Sequence, residues 1–158
     1  MALLNPGDKF PELPVQLPAG RAITLPDELV GHYGVVLVYR GSWCPYCNAQ
    51  LASFQRAKDK LAKVDARVVA LSVDDEATTA ELVAKHGLAF PVGYGADAAE
   101  VAEATGAFVN PDPVYLQSTG FVLDRDGKVV VSVYSSGAIG RLVPADVIGL
   151  VEYLDAHA

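Results

Sequence analysis

The spacing of apolar residues changes character several times along the chain. From Asn5 to Val30 they come in short pieces, Leu13 to Leu17 and Ala22 to Leu25, set among prolines and glycines. That predicts an N-terminal β-hairpin turning at Ala19 and Gly20. Past Gly31 and Gly34, the run Val35-Val36-Leu37-Val38-Tyr39 is unbroken and mostly β-branched, as a central strand buried on both faces would be. After Arg40-Gly41-Ser42 the period becomes helical, with Cys47, Leu51, Phe54 and Leu61 at helical spacing and Lys58, Lys60 and Lys63 at the C-terminal end. One helix from about Pro45 to Ala62 is expected.

The remainder alternates in the same way. Arg67 to Val73 predicts a second buried strand, Asp75 to His86 a helix closed by Gly87, Phe90 to Val92 a short extended piece, and Ala96 to Ala104 a helix stopped by Gly106. Asn110-Pro111-Asp112-Pro113 reads as a loop, because neither proline fits a helix interior. Gly120 to Leu123 and Lys128 to Tyr134, joined through Asp124-Arg125-Asp126-Gly127, predict an antiparallel hairpin. A last helix starts near Pro144 and puts Val147, Ile148, Val151 and Leu154 on one side. This order is α/β, with a central mixed sheet flanked by helices and ending in antiparallel strands. No repeat or linker interrupts it, so residues 1–158 are expected to form a single domain.

Composition narrows the function classes. With 51% hydrophobic residues, the 158-residue chain can fill one core without staples. Twelve Lys and Arg stand against 19 Asp and Glu, and a net charge of -7 disfavours nucleic acid and anionic membrane surfaces. The longest apolar run is far too short to span a bilayer, and Met1 to Phe10 has no signal-peptide core, which predicts a reducing, cytoplasmic setting.

The only cysteines, Cys44 and Cys47, stand where the buried strand hands over to a helix. A bond between them closes a loop too short to stabilise the fold, so they are not a structural staple. Pro45 suits the first helical position, which makes Cys44 the N-cap. Its sulfur can then accept from the free N-H groups of Tyr46 and Cys47 at the positive end of the helix dipole, a setting that lowers a Cys pKa from ~8.5. Arg40 adds nearby positive charge, and the i, i+3 spacing sets both sulfurs on one face within disulfide reach. The pair is suited to cycling between dithiol and disulfide. As the N-cap, Cys44 is expected to be the more exposed sulfur and the first to attack, whereas Cys47 shares a face with Leu51 and Phe54. The bland alternative makes both cysteines small core residues. No metal site is expected, since His32, His86 and His157 each suit a surface or helix-end position.

Taken together, several motifs resemble the peroxiredoxins of the alkyl hydroperoxide reductase C and thiol-specific antioxidant family, on a thioredoxin fold. They are Pro6-Gly7-Asp8-Lys9-Phe10-Pro11, the strand and turn from Val35 to Cys47, Ala70-Leu71-Ser72-Val73-Asp74, Gly87-Leu88-Ala89-Phe90-Pro91-Val92 and Phe121-Val122-Leu123-Asp124-Arg125-Asp126-Gly127-Lys128. Two departures stand out. The family resembles itself in a Pro-x-x-x-Thr-x-x-Cys turn; with Cys47 at its Cys, this chain carries Cys44 at the Thr and Arg40 at the Pro. That alignment would make Cys47 the attacking thiol, against the local reading of Cys44. Trp43-Cys44 resembles the Trp-Cys pair of thioredoxins, and Cys44-Pro45-Tyr46-Cys47 the glutaredoxin motif. Where thioredoxins carry a cis-Pro and peroxiredoxins often an Arg, this chain has Ser118, flanked by Gln117 and Thr119. Ser118 or Thr119 is a candidate hydroxyl for the site, beside the plain reading of polar strand-entry residues. Arg141 is a candidate replacement cation, and a solvated surface Arg is the plainer expectation.

The resemblance implies a thiol peroxidase that reduces hydroperoxides through Cys44 and Cys47, with no cofactor. An external dithiol protein or glutathione would re-reduce the pair, and a homodimer would be in keeping with the family. The C-x-x-C motif keeps open a thiol-disulfide oxidoreductase of thioredoxin or glutaredoxin type. A third reading is a redox-sensing or binding module with Trp43, Tyr46 and Tyr39 as a contact patch, against which Tyr39 would pack in the sheet and Trp43 would shield the sulfurs.

Overall fold

The computed structural model describes residues 3–158. The predicted hairpin is β1 (Leu13–Leu17) paired antiparallel with β2 (Arg21–Leu25), Leu13 facing Leu25. It turns at Ala19 and Gly20, both at positive φ (69° and 74°). Strict alternation in β1 turns Leu13, Val15 and Leu17 inward.

The continuous apolar run is β3 (Tyr33–Val38), buried at every position. It lies at the centre of a five-stranded sheet of order β5-β4-β3-β8-β9. Here β4 is Ala66–Leu71, β5 Val92–Gly93, β8 Thr119–Leu123 and β9 Val129–Tyr134. β4 runs parallel to both β3 and β5, β8 antiparallel to both β3 and β9, so the sheet is mixed, as expected. Successive β3 side chains feed opposite cores. Val35 and Leu37 join Leu51, Phe54 and the two cysteines under the helices, while Val36 and Val38 join Leu13, Val15 and Phe121 under the hairpin.

Two expectations need correction. The helix predicted from Pro45 to Ala62 is α1 (Pro45–Arg56) and α2 (Lys58–Lys63), separated at Ala57, whose ψ of 6° leaves the helical basin. Leu61 still reaches the Phe54 cluster after the break, which keeps the apolar period of a single helix. Asn110 to Pro113 is not a free loop. It forms the tip of a small hairpin, β6 (Val109–Pro111) against β7 (Val114–Leu116), since both prolines are compatible with the edges of a two-stranded sheet. The other helices are α3 (Glu76–His86), α4 (Ala98–Thr105) and α5 (Pro144–Ala156). Asp75 and Asp97 cap α3 and α4 through their carboxylates, and Gly87 and Gly106 end them in the left-handed region. Among the described residues no helix is long and apolar enough to cross a membrane.

The N-terminal hairpin is pinned to the sheet edge at Gly93. The N-H of Tyr94 donates to the Gln16 carbonyl at 2.9 Å, and a Cβ on Gly93 would come 2.3 Å from Val15 Cγ1. Gly93→Ala is therefore expected to lower unfolding free energy by roughly 1–3 kcal/mol, the usual cost of overpacking, read as an earlier urea midpoint. An unchanged midpoint would mean that the hairpin lifts off the edge freely.

Candidate active site

The site begins where β3 ends. Cys44 is the N-cap of α1, with extended backbone (φ -90°, ψ 113°), Pro45 occupies the first turn, and the Cys47 N-H donates to Cys44 Sγ at 3.3 Å. This is the cap predicted from the sequence, with sulfur in place of a Ser or Asp oxygen, except that the Cys47 N-H donates to it and the Tyr46 N-H does not. The turn before it is held from both sides. Asp74, just past β4, accepts from the Ser42 N-H at 2.8 Å, and Asn48 Nδ2 donates to the Ser42 and Cys44 carbonyls. Burial raises the Asp74 carboxyl above its ordinary pKa, the Ser42 N-H opposing the shift.

Both cysteines are free thiols and both are fully buried. The expectation that Cys44 would be the exposed sulfur is thus corrected, because Arg40 and Arg141 close over the helix N-terminus. Arg40 Nη1 lies 3.7 Å from Cys44 Sγ, and Arg141 Nη2 lies 3.6 Å from Cys44 Sγ and 3.0 Å from Cys47 Sγ. The backbone N-H of Arg40 donates to Cys47 Sγ at 3.3 Å. Two guanidinium groups and two backbone N-H groups therefore converge on two sulfurs.

The surroundings treat the thiols differently. Burial alone would raise Cys44; its hydrogen bonds with the Cys47 thiol, the Cys47 N-H and Arg40, with the field of Arg141, outweigh burial and bring it below the ordinary thiol value. Cys47 sits deeper. Burial and its hydrogen bond to Cys44 push it up, against the Arg40 N-H and Arg141. Tyr39, fully buried beside them, stays protonated, burial pushing its phenol up to about 12.

Arg141 is not the solvated side chain expected. Its Nε donates to the Ala138 carbonyl at 2.7 Å and its Nη1 to Gln50 Oε1 at 2.8 Å, fixing the fork toward the sulfurs. Gln50 is itself buried, with Nε2 donating to the Leu142 carbonyl at 3.0 Å. Arg40 is held as tightly. Its Nε donates to Gln117 Oε1 at 3.0 Å and its Nη2 to the Tyr115 hydroxyl at 3.1 Å, and its guanidinium lies 4.8 Å from the Trp43 ring centroid. Trp43 meets Tyr115 edge to face at 4.9 Å.

Among the residues anticipated, Arg40, Trp43, Pro45 and Tyr46 all adjoin the pair, Trp43 and Tyr46 about half exposed. Trp43 therefore covers Arg40 rather than sealing the sulfurs. Ser118 and Thr119 are buried at the β8 entry without donating to either sulfur, and the Thr119 hydroxyl donates to the Gln117 carbonyl instead. It is Gln117, their neighbour, that reaches the site, through Arg40. Gln50 and Tyr115 were not anticipated. Gln50 had a faint signal, a polar residue on the same helical face as Cys47, Leu51 and Phe54; Tyr115 had none. The histidines stand apart from the sulfurs, His32 on Asp65, His86 on Asn48 and His157 stacked on Tyr153. A cavity of about 270 Å³, lined by Leu29, Phe54, Leu61 and Phe90 among others, contains none of these site residues.

Comparison with known proteins agrees with this fold. A peroxiredoxin of Methanothermobacter thermautotrophicus is 31% identical over 144 residues, covering 87% of this chain and 68% of the relative. A putative peroxiredoxin of Mycobacterium tuberculosis is 31% identical over 146 residues, covering 88% of this chain and 90% of the relative. Among solved structures, peroxidoxin BcpB of Mycobacterium tuberculosis superposes with a TM-score of 0.82 at 19% identity, covering 96% of this chain and 98% of that one. A putative thiol:disulfide interchange protein DsbE of Chlorobium tepidum superposes with a TM-score of 0.72 at 22% identity, covering 97% of each. Structures at these identities speak for the thioredoxin-like fold and no further. The family model for AhpC/TSA matches residues 6–132, which include both cysteines, Arg40 and Gln117, and the chain belongs to the AhpC/TSA family.

Proposed function

We propose that this chain is a thiol-dependent peroxidase that works as a single domain and uses Cys44 and Cys47 as its redox pair. The observation that carries the reading is the convergence of Arg40, Arg141 and the α1 N-terminus on Cys44 Sγ, within a family and among relatives that are peroxiredoxins. The Cys44 thiolate attacks the nearer oxygen of a hydroperoxide, and the O-O bond breaks. Cys44 becomes a sulfenic acid, while the departing alkoxide or hydroxide takes a proton. The guanidinium groups that favour the thiolate also favour the negative charge developing on the leaving oxygen. The Cys47 thiol then displaces water from the sulfenic acid and forms the disulfide. Every electron comes from the two thiols, and no cofactor enters the scheme. The comparisons do not favour thiol-disulfide exchange as the primary activity, and the same pair uses that chemistry for its own re-reduction. A reducing compartment such as the cytoplasm suits a cycle that an external dithiol must close.

The test is stopped-flow mixing of the reduced protein with hydrogen peroxide, followed by fluorescence of Trp43, the single tryptophan. A rapid phase that scales with peroxide concentration, and a product lighter by two hydrogens, are expected. A rate no greater than that of free cysteine would overturn the reading. The same measurement repeated across pH carries a further expectation. The Cys44 thiol lies below its ordinary value, so the rate should rise with pH and level off, with its midpoint below that of an ordinary thiol measured alongside. A midpoint at or above the ordinary thiol value would mean that the arginines do not hold the thiolate.

A further inference from the structure

Neither guanidinium group at the site has a carboxylate partner. Arg40 bonds Gln117, Tyr115 and Cys44, and Arg141 bonds the Ala138 carbonyl, Gln50 and the two sulfurs. The ion pairs among the described residues all lie elsewhere, at Asp65 and Asp155. Asp74 is turned to the Ser42 N-H, and the exposed Asp146, which lines a cavity with Arg141, forms no ion pair with it. Both guanidinium groups come within 3.7 Å of Cys44 Sγ, so they are close neighbours of like charge. Of the two thiols only Cys44 is lowered, so the reduced site offers one thiolate to two cations. One positive charge is left unbalanced, and in a half-buried position a bound anion relieves it. Donors remain for that anion. A guanidinium has five N-H groups; Arg40 leaves one on each terminal nitrogen without a protein acceptor, and Arg141 leaves another on Nη1. Both side chains are partly exposed, whereas the sulfurs are buried, so an anion from solvent meets the cations first.

We infer that Arg40 and Arg141 together bind the carboxylate of an organic hydroperoxide, so that the oxidant this site prefers carries a carboxylate close to its O-O bond. The inference rests on the peroxidase reading and names its substrate class. Because both cations adjoin the attacked sulfur, the carboxylate and the O-O bond must be joined by a short link. The preference is local, since a chain of net charge -7 repels anions at long range. With the carboxylate held, the Cys44 thiolate attacks the terminal oxygen and the O-O bond breaks. The sulfur keeps that O-H group as a sulfenic acid, and the departing alkoxide takes a proton from water and leaves as a hydroxy carboxylate. Once Cys44 and Cys47 form their disulfide, the site holds two cations and no thiolate. A free carboxylate therefore binds the disulfide form more tightly than the reduced form.

The experiment compares two hydroperoxides of matched shape, 3-hydroperoxy-3-methylbutanoate and the neutral tert-amyl hydroperoxide, in which a methyl group stands where the first has its carboxylate. The second-order rate constant for oxidation of the reduced protein is expected to be roughly tenfold higher for the carboxylate, the scale of a hydrogen bond to a charged group. Salt at about 1 M, where screening acts over ~3 Å, should bring the ratio toward one. Arg40→Met and Arg141→Met each slow both reactions, but both oxidants meet the same thiolate, so its population cancels and the ratio reports the anion contact alone. The ratio should fall in each variant. A second measurement needs no variant. Titration with 3-methylbutanoate, read by Trp43, whose ring lies 4.8 Å from the Arg40 guanidinium, should saturate at lower concentration in the disulfide form than in the reduced form. A ratio of one or less in the unmodified protein, a ratio that survives both substitutions, or a titration with no saturable change in the disulfide form would each overturn the inference. Absence of a rapid phase with hydrogen peroxide and both organic hydroperoxides would instead fail the peroxidase reading, so the two failures are distinct.

Discussion

Arg141→Met is expected to slow oxidation by hydrogen peroxide by roughly 10- to 100-fold and to move the pH midpoint of the reaction upward. The size follows from what the side chain touches. Its Nη2 is the nearest donor to Cys47 Sγ, at 3.0 Å, and it also faces Cys44 Sγ at 3.6 Å. A hydrogen bond to a charged partner contributes about 1.5–3 kcal/mol, and each ~1.4 kcal/mol is a tenfold change in rate or equilibrium. Cys44 keeps Arg40 and the Cys47 N-H, so part of the thiolate stabilisation survives, which sets the upper bound. Arg141→Lys should fall between. It keeps the charge but cannot hold Gln50, the Ala138 carbonyl and the sulfurs from one planar fork. The measurement is the second-order rate constant across pH. If Arg141→Met slows the reaction with an unchanged midpoint, the residue does not hold the thiolate and its effect falls on the attack step itself. If the rate is unaffected, the cation is not part of the site.

What could be read in the sequence divides by distance along the chain. The redox pair, its capping role and the nearby cation were legible because strand, turn and helix entry are consecutive, and i, i+3 spacing fixes geometry whatever surrounds it. The mixed sheet was legible because Val35 to Tyr39 and Arg67 to Val73 are apolar runs of strand length between helical periods. Arg141 was legible as a candidate cation, but nothing in the sequence set it above a solvated surface Arg. It lies 94 residues beyond Cys47, and only the packing of α5 and the Ser135–Ile139 turn brings it back. Tyr115 and Gln117 were missed for a related reason. A stretch broken by Pro111 and Pro113 looks like a loop, and nothing local says that it folds into a hairpin whose second strand clamps a residue 75 positions away. The alignment placing Ser118 where relatives often have a cation pointed to the right stretch of chain, since its neighbour Gln117 holds Arg40, but not to a cation. The charge beside the sulfurs comes instead from Arg40, at the position where the family usually has Pro, and from Arg141.

The assignment of the attacking sulfur turns on that same pair of cations, and the largest expected effect belongs to it. Cys44→Ser should abolish the rapid peroxide phase, on the order of a thousandfold or more, whereas Cys47→Ser should keep the first oxidation and stop at a sulfenic acid on Cys44. Both variants should fold. Ser is a good N-cap, so Cys44→Ser retains the bond from the residue 47 N-H, and Cys47→Ser changes one atom in a pocket that supplies donors from Arg40 and Arg141. Three donors reach Cys44 Sγ, one of them at the α1 N-terminus, and together they lower its pKa, while Cys47 is raised by its deeper burial and by Cys44. Of the two thiols, Cys44 is therefore the one that ionises first. Alignment with the family's Pro-x-x-x-Thr-x-x-Cys turn argues the other way, since it puts Cys47 at the attacking position. A sulfenic-acid trap such as dimedone, read by intact mass and peptide mapping, separates the two. Label on Cys44 in Cys47→Ser supports Cys44 as the thiol that attacks first. Full peroxide reactivity in Cys44→Ser, with label on Cys47, reverses the order, and makes Arg141, the nearer cation to Cys47, the group that activates the thiol.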